Sequence, residues 1–328
     1  MDVEIIFSTL LGIIALGIGA DLIVRGSIKL SIIFKLSGYF IGFTIVALGT
    51  SLPEFAASIQ AIKLDSIPIA IGNIIGSNIA NILLVLGAVG IISPIIFPKP
   101  DQSTGMLIVT FLICIIFWLS IRNNFDSVTM GVIFVFVSMG YLIWQYRFAV
   151  EDTIIEKEYK PFDQFKSYFY LLLGFILIYY GSEFFIQGSQ KIAREFNISE
   201  AVIGLTLVAV GTSLPELVTG IVAAVKKQSG LAVGTILGSN IYNIAAILGI
   251  VLFFYDGELN NILPDDLQKE QVGINAIIMA IVTLLFVSRI KFGFTFIKME
   301  KHRIGIKTGI MFILLYIVYT YYNYYYFS

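Results

Sequence analysis

The chain lacks most of what soluble-protein chemistry is built from. It has one cysteine, Cys114, in 328 residues, so no intramolecular disulfide can form. Because Cys114 sits in an apolar run, it reads as a core or lipid-facing residue rather than a reactive thiol. The one histidine, His302, lies in a basic stretch. No His/Cys set for a zinc site exists, and no long apolar segment holds a histidine that could act as a base. Charged residues are 13% of the chain, where a soluble domain carries roughly a quarter. The net charge of −1 gives no electrostatic reason to expect a nucleic-acid partner. The start, Met1-Asp2-Val3-Glu4, is acidic where a secretory leader is basic, and no A-x-A pattern follows, so the first apolar run is expected to be retained.

What is plentiful is apolar. Hydrophobic residues make up 58% and mean hydropathy is +0.91. The runs reach about 20 residues, the length that crosses hydrocarbon as a helix. They do not alternate, which selects helices over a closed barrel. Ten candidate spans fall near 5–24, 37–61, 67–93, 105–121, 128–146, 167–188, 198–225, 230–255, 271–288 and 305–325. The polar stretch 147–166, too short for a regulatory domain, separates 1–146 from 167–328 as a linker between five spans and five. The expected fold class is therefore an all-α polytopic membrane protein with ten transmembrane helices in two inverted five-helix repeats. With the N-terminus outside, five of the 21 Lys and Arg (Lys63, Arg122, Lys191, Arg194 and Lys269) lie on the outer side and the other sixteen on the cytoplasmic side. That bias orients the chain in a plasma (inner) membrane with both termini extracytoplasmic. The basic run 298–307 reads as a topology anchor, with a grip on anionic lipid as the lesser reading. The Tyr-rich tail from Tyr319 to Phe327 suits the outer membrane interface.

The repeat can be read directly. Residues 41–87 and 203–249 align without gaps at an offset of 162, and 24 of 47 positions are identical. The same offset matches Gly12 with Gly174, Asp21 with Glu183, and Gly26-Ser27 with Gly188-Ser189. With an odd number of spans per half, the second half enters the membrane upside down. Inverted repeats are a common plan for secondary transporters, with the substrate at the repeat interface near the midplane. A duplication without a transport role is the plainer reading, but the repeated segments are also where the polar residues concentrate.

Two polar motifs occur in each half: Gly49-Thr50-Ser51-Leu52-Pro53-Glu54 with Gly211-Thr212-Ser213-Leu214-Pro215-Glu216, and Gly76-Ser77-Asn78-Ile79-Ala80-Asn81 with Gly238-Ser239-Asn240-Ile241-Tyr242-Asn243. A carboxylate inside an apolar span is costly unless it faces protein, water or an ion. A protonated, merely hydrogen-bonded Glu would explain one such residue. Two in matched motifs, among hydroxyls and amides, point to ligands. Pro53 and Pro215 lack an N–H, so the carbonyls of Gly49 and Gly211 lose their helical partner. Each helix should break near Thr50 and Thr212 and expose carbonyls around Ala47–Thr50 and Ala209–Thr212. Irregular backbone at that depth is tolerated where it lines a cavity or binds something. Carboxylate, carbonyl, hydroxyl and amide oxygens form the ligand set of a hard cation such as calcium, and no soft donor is present. Ser77 and Asn81, like Ser239 and Asn243, are four residues apart on one helix face, which reads as a ligand stripe rather than scattered packing polars. Gly72, Gly76 and Gly87 read as helix-packing positions. Asn78 and Asn240 point elsewhere and are assigned to helix–helix hydrogen bonds. Asp21 and Glu183 are placed near span ends.

At these residues the sequence resembles the sodium/calcium exchanger family of the cation/calcium antiporters, in its prokaryotic form. The two G-T-S-L-P-E and two G-S-N-I-x-N segments look like the family's paired alpha repeats, and the resemblance covers all ten spans. It implies exchange of Ca2+ for Na+ by alternating access, four ion sites in a diamond at the repeat interface, and helices one and six sliding against the rest. Carried over, it implies that Glu54 and Glu216 ligate calcium with the Thr50 and Thr212 carbonyls. Ser51, Ser77, Ser213, Ser239, Ala47 and Ala209 would complete the sodium sites, with Asn81 and Asn243 central. The expected partners are Ca2+, Na+ and membrane lipid, with no cofactor, no nucleic acid and a functional monomer. Some family members carry Asp at the position of Asn243, and potassium co-transport in some relatives is tied to an Asp in the second repeat. The amide here argues against potassium dependence. The alternatives are an H+/Ca2+ antiporter, whose motif after the buried Glu reads G-N-x-x-E, or a potassium-dependent exchanger. A channel would use the same oxygens. An intramembrane enzyme would need Ser51 or Ser213 as nucleophile, with no histidine in any span to activate it.

Overall fold

The computed structural model describes residues 3–63, 67–97, 100–123, 125–147, 149, 161–195, 209–255, 266–292 and 303–327. The described residues are almost wholly helical. α1 is Val3–Phe34. α2, Gly38–Thr50, and α3, Leu52–Lys63, form a pair bent by 40°. α4 runs from Ile67–Ala80 through a π turn, Asn81–Val85, into Leu86–Ile92. β1 (Ile95–Ile96) precedes α5, Pro100–Arg122, and α6, Ser127–Tyr146. The second half holds α7, Pro161–Glu195, the short α8, Ala209–Thr212, and α9, Leu214–Val225. α10 runs from Ser229–Ile241 through a π turn, Tyr242–Ile247, into Leu248–Phe253. α11 is Asp266–Phe292, β2 is Arg303–Ile304 and α12 is Ile306–Phe327.

Among the described residues, seven helices are long and apolar enough to cross a membrane, or eight if the bent pair is one span. The protein is a multi-span helical membrane protein. Two helices outrun the segments expected from hydropathy. α1 continues ten residues beyond position 24, so Arg25 and Lys29 are helical rather than in a loop. α7 starts at Pro161 and ends at Glu195. At 32 and 35 residues, each is about 50 Å long at 1.5 Å per residue, well beyond a hydrocarbon core. The linker between 149 and 161, residues 293–302 with His302, and the opening of the seventh expected span with residues 203–208 of the repeat lie outside the described residues.

Local chemistry sets the ends. The Ser37 hydroxyl accepts the Phe40 N–H at 3.2 Å to start α2, and the Asp126 carboxylate accepts the Thr129 N–H at 2.7 Å to start α6, both ordinary N-caps. α1 and α9 close with a lysine in left-handed backbone, Lys35 (φ 55°) and Lys227 (φ 60°). The next N–H in each case reaches back five residues, Leu36 to the Ser31 carbonyl at 2.9 Å and Gln228 to that of Ala223 at 2.8 Å, the closure of a Schellman motif.

The packing divides in two. One large core joins α4 and α10 with residues of α5, α6, α11 and α12. A smaller one joins α1, α7 and α9 with residues of α2 and α10. α1 and α7 run antiparallel along a glycine seam of period seven. A Cβ on Gly19 would lie 2.9 Å from the Gly174 carbonyl oxygen, and one on Gly181 would lie 3.0 Å from that of Gly12. Such small-residue seams let membrane helices approach backbone to backbone. Cys114 is wholly buried in the larger core.

Candidate functional site

Both Pro-containing segments break where the chain turns, one residue later than the sequence suggests. Ser51 (φ −84°, ψ 5°) and Ser213 (φ −88°, ψ 5°) are the turn residues. Ser51 still donates its N–H to the Ala47 carbonyl at 3.0 Å, and Phe55 donates to Ser51 at 3.1 Å. Ala47 therefore does not present a bare carbonyl. The carbonyl that Pro53 cannot serve is that of Gly49. Pro53 and Pro215 then fall in the first turn of α3 and α9, where a missing N–H is harmless, and Glu54 and Glu216 follow directly.

The breaks bring the two motifs of one half against those of the other. Thr50 and Ser239 share a hydrogen bond at 3.4 Å, and their repeat equivalents, Ser77 and Thr212, share one at 3.4 Å. The Asn78 amide donates to the Asn240 carbonyl at 3.1 Å, and the Asn240 amide donates back to that of Asn78 at 3.3 Å. This is the helix–helix role expected for that pair, and the reciprocity marks a local two-fold relation. Glu54 and Glu216 are both 0% exposed. Glu216 Oε1 accepts the hydroxyls of Ser239 at 3.0 Å and Ser51 at 3.3 Å. The Ala47 carbonyl accepts the Thr50 hydroxyl at 3.3 Å and lies 3.5 Å from the Ser239 hydroxyl, an alternative acceptor for its one proton.

Against this, a set of buried polar atoms has no protein partner. Both Glu54 oxygens, Glu216 Oε2, the Ser213 hydroxyl, and both side-chain polar atoms of Asn81 and of Asn243 are in it. Of the three π turns among the described residues, one interrupts α2 at Gly42–Val46, Asn81 opens that of α4, and Asn243 lies in that of α10. π turns offset the backbone ladder and recur at functional sites. Leaving one buried polar atom unpartnered costs about 1–3 kcal/mol, so a cluster of oxygens without partners needs something to pair with. Its composition is that of a hard-cation shell. Of the remaining expected residues, Ser77 is buried, Thr212 half-buried and Ala209 opens α8. The structure does not bring Ser213 or Ser77 onto Glu54 as it brings their equivalents, Ser51 and Ser239, onto Glu216.

Two further hydroxyls escaped the sequence reading. Ser58 and Thr219 are wholly buried without partners, one turn beyond Glu54 and Glu216 respectively. Other helical hydroxyls bond back to the carbonyl four residues earlier, as Thr44, Thr110 and Thr235 do. Helical spacing from each Glu could have flagged these two. The repeat could not, because their equivalents are Gly220 and Ala57.

A multi-span helical protein with paired carboxylates at two broken helices is of the ion-transporter class. The model of the sodium/calcium exchanger protein family matches residues 5–147 and 166–325. An uncharacterized membrane protein of Methanocaldococcus jannaschii is 36% identical over 94% of this chain and 94% of its own length. The sodium/calcium exchanger MaX1 of Methanosarcina acetivorans is 29% identical over 75% of this chain and 82% of its own. Among solved structures, the sodium-calcium exchanger NCX_Mj soaked with Na+ and Ca2+ superposes with a TM-score of 0.78 at 34% identity, covering 97% of this chain and 98% of that one. The chain belongs to the sodium/calcium exchanger family.

Proposed function

We propose that the chain is a secondary antiporter that exchanges Ca2+ for Na+ across the membrane by alternating access, with the ions held between the two helix breaks. Family membership carries the exchange itself. The placement of the ions rests on one observation: two wholly buried carboxylates whose oxygens, with those of neighbouring amides and hydroxyls, lack protein partners. Transport by this family is not enzymatic and needs no cofactor. Ca2+ and Na+ are its cargo.

Glu54 and Glu216 supply two negative charges, which balance one Ca2+. The hydroxyls of Ser51, Ser213, Ser77 and Ser239, the carbonyls of Thr50, Thr212 and Ala209, and the amides of Asn81 and Asn243 would offer neutral oxygens around them, and the Ala47 carbonyl would join them only with its second lone pair, since it already accepts the Ser51 N–H. Neutral oxygens suit Na+ as well, so the same groups serve both ions at different times. Ser239 and Ser51 already hold Glu216 by hydrogen bonds, which keeps that carboxylate in place as an ion leaves.

The topology proposed with it is ten spans in two inverted halves, 1–146 and 167–328, joined by a cytoplasmic 147–166 segment, with both termini outside and the monomer as working unit. The antiparallel α1–α7 seam and the reciprocal Asn78–Asn240 bonds support the inversion. The lysine and arginine bias supports the orientation. Purified protein in sealed vesicles should take up Ca2+ only when an opposing Na+ gradient is imposed. Uptake that ignores Na+ and follows a proton gradient would assign it to the H+/Ca2+ branch.

A further inference from the structure

The two halves share sequence but not surroundings. α3 and α9 are equivalent by the 162-residue offset. α9 lies under α1: Leu214 and Ala223 are buried in one cluster with Leu16, Ala20, Ile23 and Val24, and Thr219 is wholly buried. On α3, Leu52 is 48% exposed where its equivalent Leu214 is 7%, and Ala57, the equivalent of Thr219, is uncovered. α7, which stands in for α1 in the second half, does not cover that face. The α1–α7 pair is seated toward α9.

One polar contact goes with this seating. Asp21 of α1 pairs with Lys226, which ends α9, and with Arg25 on its own helix at 2.6 Å. Among the described residues, the equivalent α7–α3 positions form no such pair. The counterpart of Asp21, Glu183, is exposed and accepts a bond at 3.1 Å from Gln187 of its own helix, and the counterpart of Lys226 is the uncharged Leu64.

We propose that the Asp21–Lys226 ion pair is a latch that holds the α1–α9 face closed and biases the exchanger toward the state in which the α3 face is open. The inference rests on the alternating-access reading above. In an inverted repeat the two end states differ by an exchange of roles between the halves, so a perfectly repeated sequence would leave them equal in energy. An ion pair at the α1–α9 contact, whose equivalent positions hold Glu183 and the uncharged Leu64, tips that balance. Its side chains keep 32% and 30% exposure, and a pair so wet is worth roughly two- to fivefold in population. That sets which face is accessible most of the time and still permits turnover.

The test uses thiol accessibility in proteoliposomes. Cys114→Ala removes the one native thiol, and single cysteines at the equivalent positions, Ala57→Cys or Thr219→Cys, report the two faces with a membrane-impermeant maleimide. Adding Asp21→Asn should raise labelling at 219 roughly two- to fivefold and lower it at 57. The exchanged pair Asp21→Lys with Lys226→Asp should restore both rates. Unchanged rates at both positions, or a rise at 219 without a fall at 57, would overturn the latch, the latter showing local loosening only. If Na+ and Ca2+ never move the two rates in opposite directions without Asp21→Asn, alternating access itself fails. If they do and Asp21→Asn is silent, only the latch fails.

Discussion

Replacing one carboxylate by its amide tests the proposed site most sharply. Glu54→Gln and Glu216→Gln keep the shape of the side chain and remove one full charge from a wholly buried position. With both glutamates the site balances Ca2+. With one it leaves the ion a charge short in a region that water does not screen. Breaking a buried charge pair in this way costs about 3–5 kcal/mol, or roughly two to three and a half decades in Ca2+ affinity at about 1.4 kcal/mol per decade. Folding should survive. The Ser239 and Ser51 hydroxyls on Glu216 can donate to an amide oxygen equally well, and Glu54 accepts nothing from the protein that the change would break. A thermal shift separates the two effects. At Ca2+ one hundred times the native Kd, binding stabilises the native protein by about 2.7 kcal/mol, whereas a variant weakened about 100-fold gains about 0.4 kcal/mol. The expected result is near-native unfolding without Ca2+, an almost flat Ca2+ response, and loss of Na+-driven Ca2+ uptake in vesicles. Native Ca2+ shifts and native uptake in both variants would refute the placement of the ions between the two breaks.

Four other outcomes are expected. Ser51→Ala removes a donor to Glu216 in the state seen here, while Ser213→Ala removes a hydroxyl that makes no hydrogen bond in it. The two should therefore change apparent Ca2+ affinity more on opposite faces of sealed vesicles, and identical sidedness would count against the reasoning. Gly19→Leu forces atoms against the α7 backbone and should destabilise by about 1–3 kcal/mol and slow exchange, whereas Gly17→Leu, with open space around its Cβ, should do neither. Hydrogen bonds from Thr129 hold the Asp126 carboxyl below its ordinary value. Its capping of α6 is then fully present above about pH 4 and is lost as the pH falls through that lowered value, a loss that Asp126→Asn should blunt in acid-unfolding curves. A cysteine near Lys160 should react with an impermeant label only after the membrane is permeabilised, and ready reaction in intact cells would reverse the proposed orientation.

Much of this was legible because the chemistry is local and repeated. A proline without an N–H must spoil a helix, and a glutamate beside it in an apolar run must have a reason. The breaks came within one residue, displaced because Ala47 keeps its bond to Ser51 and the turn falls on Ser51 itself. Spacing alone told Ser77 and Asn81 apart from Asn78, and the Asn78–Asn240 crosslink followed. Hydropathy could not give the ends of α1 and α7, since a helix need not stop where the hydrocarbon does. The π turns at Asn81 and Asn243 carry no signal of their own in composition. Asp21 was visible as a charge near the end of a span, but its partner lies 205 residues away and no local pattern links them.

The most instructive feature is a difference the sequence could not contain. Thr50, Ser51 and Glu54 are the same residue types as Thr212, Ser213 and Glu216, and Ser77 the same as Ser239. Yet Ser51 and Ser239 donate to Glu216, while neither Ser213 nor Ser77 donates to Glu54. Residues identical in type and order cannot differ in partners because of their own chemistry, so the difference must come from how the halves are set against each other. The bonds that obey the two-fold relation, Thr50 with Ser239 and Ser77 with Thr212, lie between the halves. Those that break it are on the carboxylates. A site assembled this way has one glutamate held by the protein through a single oxygen, Glu216 Oε1, and one with no protein partner, and on the proposed inversion exchanging the roles of the halves would exchange which is which. The glutamate without protein partners has the stronger call on a cation, so the carboxylate that most needs the ion changes with the face that is open. On the proposed inverted arrangement, duplicated motifs give more than twice the oxygens. They would give two half-sites that trade hydrogen bonds while the charge proposed to hold the cargo stays the same.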